Sequence, residues 1–282
     1  MESAPSRTAM FAAISRGLFR LETAPPWVLD DVLALVLVGP VWQQLRDQYD
    51  PLFPDPVRRE ARAGVCTRSR YAEDRLAAGA FTQYVILGAG LDSFAWRRPD
   101  LLGPLTVFEV DHPASQAWKL GRVRDLGLPL SDSQVFVPAD FEAGPVQDVL
   151  AAAGFDWARP AMFCWTGVAP YLTAPAIAST LRTIAAAAPG SEVVFSYLAE
   201  ACALDDVGTE YARIYTPIAA SAGEPLQPGW PASDIERLIN RCGLKVVDHP
   251  TRAELQRRYF AGRTDGLRPC TFETLVAAQV TP

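Results

Sequence analysis

Short apolar runs rich in β-branched and aromatic residues alternate along this chain with longer stretches of helical composition, the rhythm of β–α units around a mostly parallel sheet. The runs at 84–87, 105–110, 135–137, 162–165, 193–197 and 244–247 read as strands, with a further one at 271–276. Alanine-rich segments at 146–153 and 176–188 read as helices stopped by Gly154 and by Pro189-Gly190. The residues before the first strand read as helical, broken at Pro25-Pro26 and between Asp50 and Pro56, and form a cap rather than a second nucleotide-binding unit. The stretch 203–233 carries Gly208, Pro217, Gly223, Pro225, Pro228, Gly229 and Pro231, which predicts an irregular lid between the fifth and sixth strands. The most apolar run, 32–38, lies between Asp30-Asp31 and Gly39-Pro40 and falls far short of the ~20 residues of a bilayer span, so it reads as a buried helix. The expectation is one domain over 1–282, with a helical cap at 1–80, a core at 81–200, a lid at 201–235 and the rest of the core at 236–282.

Composition narrows the functional class. A chain that is 49% hydrophobic and 21% charged is too apolar for disorder and folds around a large core. Twenty-six Lys and Arg against 32 Asp and Glu leave a net charge of −6, which disfavours a nucleic-acid partner, whose phosphates call for basic residues. The cysteines, at 66, 164, 202, 242 and 270, form no CxxC pair and have only His112 and His249 to join them, so neither a structural zinc nor a disulfide framework is expected. The opening segment carries Arg7, Arg16 and Arg20 without an apolar core and cleavage site, which points to a cytoplasmic protein that does not use a membrane.

The densest chemical signal is QYVILGAGLDSFAWR at 83–97, a strand running into Gly88-Ala89-Gly90 and then into a helical segment. Glycines there let backbone approach a ligand closely, and a helix start offers unpaired N–H groups. The next strand ends in Asp111, 21 residues after Gly90, the spacing at which an acid commonly accepts hydrogen bonds from ribose hydroxyls. Ser93 stands where a third glycine would let a helix pack over a pyrophosphate. A cofactor with a ribose and no phosphates, such as S-adenosyl-L-methionine, therefore fits this turn. His112 follows directly, where the chain leaves a strand for a helix, and reads as a turn or cap residue rather than a base. Trp96 and Trp118 read as core or lid residues.

The ordered segments SRTAMFAAISR at 6–16, DDVLA at 30–34, Arg68-Ser69-Arg70-Tyr71-Ala72-Glu73-Asp74, LGAGLDSFAWR, FEVDHP, Pro138-Ala139-Asp140-Phe141, GEP at 223–225 and RYFAGRTDGLRP at 258–269 resemble successive motifs of the leucine carboxyl methyltransferase family. That family also holds the carboxyl methyltransferase of tetracenomycin synthesis and many actinobacterial S-adenosylmethionine-dependent methyltransferases. The resemblance implies the class I methyltransferase fold, a Rossmann-like α/β sheet of about seven strands with helices on both faces, an N-terminal helical cap and a lid before the sixth strand. It also implies S-adenosyl-L-methionine as cofactor, with Gly88 and Gly90 in the glycine turn, Asp111 at the ribose, and Asp140 with Phe141, in place of the usual leucine, beside the adenine. Arg68 or Arg70 would pair with the methionyl carboxylate, and the residues alone leave either free to pair instead with Glu73 or Asp74 on its own helix. Thr166 stands near the position where the name-giving enzymes carry a glutamate that contacts the cofactor, a departure that weighs against their substrate, a protein C-terminal leucine. Tyr171 would wall the transfer site or, equally, be a core aromatic at a helix start.

The chain is thus expected to methylate a carboxylate or hydroxyl of a small metabolite, in secondary metabolism, without a metal. A carboxylate is already ionised at neutral pH and needs no general base. The competing readings are an NAD-dependent oxidoreductase, which shares the glycine turn and ribose acid, and a cofactor-binding member without turnover.

Overall fold

The computed structural model describes residues 6–141 and 146–281; residues 1–5, 142–145 and 282, and with them the expected outer bounds of the chain's organisation, lie outside the described residues. Seven strands among these form one sheet: β1 (Gln83–Leu87), β2 (Thr106–Asp111), β3 (Gln134–Pro138), β4 (Ala161–Trp165), β5 (Glu192–Leu198), β6 (Leu244–Asp248) and β7 (Glu273–Val280). Their order is β3-β2-β1-β4-β5-β7-β6, with β7 antiparallel to both neighbours and every other pair parallel. Every predicted run overlaps a strand, although Leu105, Thr271 and Phe272 fall just before theirs, and the last strand extends to Val280 because Leu275, Val276, Ala277 and Ala278 are all buried. β1, β4 and β5 are buried at every position, which is why they read as unbroken apolar runs rather than alternating ones.

Helices α1 (Arg7–Glu22), α2 (Ala34–Val38), α3 (Val41–Tyr49) and α4 (Asp55–Ala78) precede the sheet. Along the rest of the chain follow α5 (Phe94–Arg97), α6 (Pro113–Asp125), α7 (Val146–Ala152), α8 (Ala174–Ala185), α9 (Asp206–Ser221), α10 (Ala232–Arg241) and α11 (Arg252–Tyr259). Side chains alternate across the strands. Val85, Phe163 and Phe195 therefore pack under Leu150 of α7, Leu181 of α8 and Ile239 of α10. Ile86, Met162 and Val194 pack on the opposite face with Tyr71 and Leu76 of α4 and Phe94 of α5.

Three expectations are corrected. The lid stretch is mostly helical: α9 runs straight through Pro217, capped by Asp205, whose side chain accepts from the Gly208 N–H at 2.9 Å. Its buried Ile214 and Ala219 supply the packing that outweighs the helix-breaking composition. The apolar run at 32–38 is only half buried, since α2 is short and turns Ala34, Leu37 and Val38 inward while Val32 and Val36 stay exposed. The helix after the glycine turn is only four residues long, ending just before Pro99, so it offers no extended helix dipole.

Candidate functional site

The order of strands reverses direction between β1 and β4, and a crevice at the carboxyl ends of strands is where open α/β sheets place ligands. Here a cavity of about 1360 Å³ opens over the ends of β1, β2, β4 and the start of β7, larger than the ~300–1,000 Å³ usual for one small molecule. Gly88, Gly90, Asp111, Asp140, Phe141 and Arg68 all line it, as do Thr166 and Tyr171.

The glycine turn is held by hydrogen bonds from the Gly88 and Ala89 N–H groups to the Val110 carbonyl, at 2.8 and 3.0 Å. Gly88 and Gly90 both have positive φ, +73° and +49°, conformations that side-chain-bearing residues adopt at a cost. Asp111 closes the turn from β2: its Oδ2 accepts from the Gly90 N–H and its Oδ1 from the His112 N–H at 2.6 Å. Burial pushes the Asp111 carboxyl above the ordinary range, although both N–H groups pull the other way. Glu109, two residues earlier on β2, is consumed by a buried pair with Lys119 of α6. His112 caps α6, with Nδ1 accepting from the Ala114 N–H at 3.2 Å, in line with the cap reading. Buried Ser93 has its own use where a glycine would otherwise stand, accepting from Arg97 Nε at 2.8 Å.

The two arginines of the Arg68-Ser69-Arg70 segment separate cleanly. Arg68 Nη1 bonds Glu273 Oε2 of β7 at 2.7 Å inside the cavity, and its side chain is 15% exposed. Arg70 is 43% exposed, pairs with Asp74 one turn on at 2.7 Å and is absent from the cavity wall. Of the two, only Arg68 is brought to the cavity wall: residues two apart on a helix lie ~200° apart, so only one of them faces the sheet. Burial works against the Arg68 charge, but Glu273 more than offsets this and holds its pKa above the ordinary value.

Beyond β4, the cavity is walled by phenols. The Tyr171 hydroxyl meets that of Tyr215 at 3.0 Å, and Tyr215 stacks on Tyr211 of the same helix α9. Burial raises the pKa of both Tyr171 and Tyr215, so both stay protonated at neutral pH, one O–H serving their mutual bond and the other left over. Buried Cys164, near Thr166, is pushed up to about 11 and stays a thiol, which removes it as a nucleophile. Neither Trp96 nor Trp118 lines the cavity.

Several wall residues were not singled out from the sequence as site residues. Gly167 has φ +74°, and a Cβ there would stand 2.6–2.9 Å from the Arg68 guanidinium. Gly167→Ala is expected to displace Arg68 and to destabilise the fold by about 1–3 kcal/mol, measured as a lowered Tm; an unchanged Tm would contradict this. Arg16 of α1 bonds Asp31 at 2.8 Å and the Leu91 carbonyl at 2.7 Å, tying the helical cap to the glycine turn. Burial alone would raise the Asp31 carboxyl, but Arg16 and Arg97 hold it below its usual range. Ser6 and the Thr8 N–H both bond Glu224, at 2.7 and 3.3 Å, joining α1 to the loop after α9. Arg16, Asp31 and Glu224 stand in segments that carried the family resemblance; Glu273 and Gly167 had no local signal.

The family model for leucine carboxyl methyltransferase matches residues 9–185. A Bacillus subtilis protein named as a candidate S-adenosyl-L-methionine-dependent methyltransferase, YktD, is 35% identical over 225 residues, covering 79% of this chain and 71% of its own. A protein of Mycolicibacterium gilvum with the same kind of name is 32% identical over 212 residues, 70% of this chain and 67% of its own. Among solved structures, a candidate methyltransferase of Thermobifida fusca superposes with a TM-score of 0.66 at 18% identity, over 99% of this chain and 96% of that one. A DUF574 family protein of Streptomyces avermitilis reaches 0.65 at 14% identity, over 100% and 99%, and both likenesses speak to the fold alone. By its family match and its relatives, and on a fold that suits them, the chain belongs to the leucine carboxyl methyltransferase family, whose members are S-adenosyl-L-methionine-dependent methyltransferases.

Proposed function

We propose that this methyltransferase transfers a methyl group to the oxygen of a small metabolite, a carboxylate in preference to a hydroxyl. The observation that carries the reading is the meeting, in one large cavity, of the glycine turn with its acid on one side and a wall of protonated phenols on the other. At Gly90 an added Cβ would come within 3.0 Å of Ala9 Cβ, so α1 packs against the turn and a glycine is needed there. In this reading Asp111 accepts from the ribose hydroxyls, Asp140 and Phe141 flank the adenine, and Arg68 binds the methionyl carboxylate. S-adenosyl-L-methionine supplies a methyl group already activated on a sulfonium. The chain's own task is then to hold the acceptor at near-attack distance, ~3–3.5 Å, and to keep water out. One O–H of the Tyr171–Tyr215 pair is used within the pair, which leaves the other to donate to the acceptor, and a donor suits an anion that brings its own lone pairs. The cap over 1–80 and the segment 201–235 close over the acceptor and set its identity. We place the reaction in the cytoplasm and in secondary metabolism, within a single domain.

The test incubates the chain with methyl-labelled S-adenosylmethionine and matched pairs of small carboxylic acids and alcohols. Label in a product that mild alkali releases as methanol marks a carboxyl ester; an alkali-stable ether marks a hydroxyl acceptor and overturns the carboxylate preference. No binding of S-adenosylhomocysteine at millimolar concentration overturns the site assignment as a whole.

A further inference from the structure

The acceptor wall and the glycine turn leave one polar feature of the cavity without a task. Glu273 begins β7 and uses only one carboxylate oxygen, Oε2, on Arg68. Its other oxygen, Oε1, is shielded from solvent and has no hydrogen-bond partner among the described residues. A buried acceptor left unpaired is costly, the more so when charged, so it calls for a donor that arrives with a ligand. The Arg68 guanidinium lies against Gly167, just past the end of β4, while β7 brings the carboxylate.

Arg68 and Glu273 together carry no net charge. A bound anion alone would satisfy the guanidinium and leave Oε1 unpaired, and a bound cation alone would do the reverse. An α-amino acid group, with ammonium and carboxylate on one carbon, answers both and leaves no uncompensated charge in a buried site. Resting on the cofactor reading above, we propose that the Glu273–Arg68 pair is a receptor for the methionyl zwitterion of the cofactor, Glu273 taking the α-ammonium while Arg68 takes the α-carboxylate. Glu273 reaches Arg68 from a strand 205 positions further along the chain.

Calorimetric titration with three ligands tests this: S-adenosylhomocysteine, its deaminated analogue and its decarboxylated analogue. In the wild-type chain, loss of the amino group is expected to weaken binding roughly 10- to 100-fold, the worth of one charge-assisted hydrogen bond in a buried site. Glu273→Gln should weaken S-adenosylhomocysteine and the decarboxylated analogue by a similar factor and leave the deaminated analogue unchanged or tighter, with Glu273→Asp intermediate. Equal weakening of all three ligands by Glu273→Gln would reduce Glu273 to a packing role and overturn the proposal. So would a wild-type chain that binds the parent and the deaminated ligand equally, a comparison that requires no folded variant. A wild-type chain that binds none of the three overturns the cofactor assignment itself, an outcome distinct from the other two.

Discussion

Replacing Asp111 with asparagine is expected to weaken S-adenosylhomocysteine binding at neutral pH by about 100-fold, or ~2.7 kcal/mol. Two losses combine. The carboxylate is the assigned partner of the ribose hydroxyls, and it accepts the Gly90 and His112 N–H groups that hold the turn. An asparagine must aim its amide donors at one of those N–H groups, leaving a buried donor unpaired at ~1–3 kcal/mol. The pH dependence carries the same signature. The binding form of Asp111 is the ionised one, and burial raises its pKa, so acidification should weaken binding from above the ordinary aspartate value of ~3.9. The stability term has the opposite sign: a carboxyl with a raised folded pKa holds its proton more tightly folded than unfolded, so its contribution to stability improves as pH falls through that pKa. Binding is then the quantity that acid impairs at this residue. Titrations from pH 4.5 to 8 check this, and an Asp111→Asn variant that keeps either wild-type affinity or the acidic limb would refute the assignment.

Arg68→Gln is expected to lose about 100- to 1,000-fold in affinity for S-adenosylhomocysteine, or ~3–4 kcal/mol, the lower end of what a two-pronged guanidinium–carboxylate contact contributes. Arg70→Gln should stay within about twofold, because an exposed i,i+4 pair such as Arg70–Asp74 contributes only ~0.3–0.5 kcal/mol. Removing Arg68 also strands Glu273, so the variant should melt earlier than wild type, whereas Arg68→Lys keeps a charge for Glu273 while losing the planar fork. Binding of the decarboxylated analogue separates the two effects, since a lost carboxylate contact cannot weaken a ligand that has no carboxylate. Equal losses for the two arginines would place the carboxylate contact elsewhere.

Much of the scaffold was readable from the chain because local patterns and tertiary burial agree there. β1, β4 and β5 are largely apolar because they are covered on both faces, and Gly88 and Gly90 sit where the turn needs positive φ. α9 was misread for the converse reason: Gly208 and Pro217 argue against helix locally, while Asp205 at its start and buried Ile214 and Ala219 along its face argue for it only once the fold exists. The short α5 shows the same limit, since a glycine turn announces that a helix follows but not how long it runs.

By itself, then, the sequence determined the seven-strand α/β scaffold, the glycine turn, and the acid at the end of the next strand, all features written in residues close to one another in the chain. Only the tertiary structure put Arg68 on the cavity wall and Arg70 at the surface, because helix phase relative to a sheet depends on what packs behind it. It alone brought Glu273 to Arg68 and Tyr215 to Tyr171, across 205 and 44 positions of sequence. Contacts of that span leave no trace in periodicity or spacing, because what joins them is the closing of the sheet and the packing of α4 and α9 over its end.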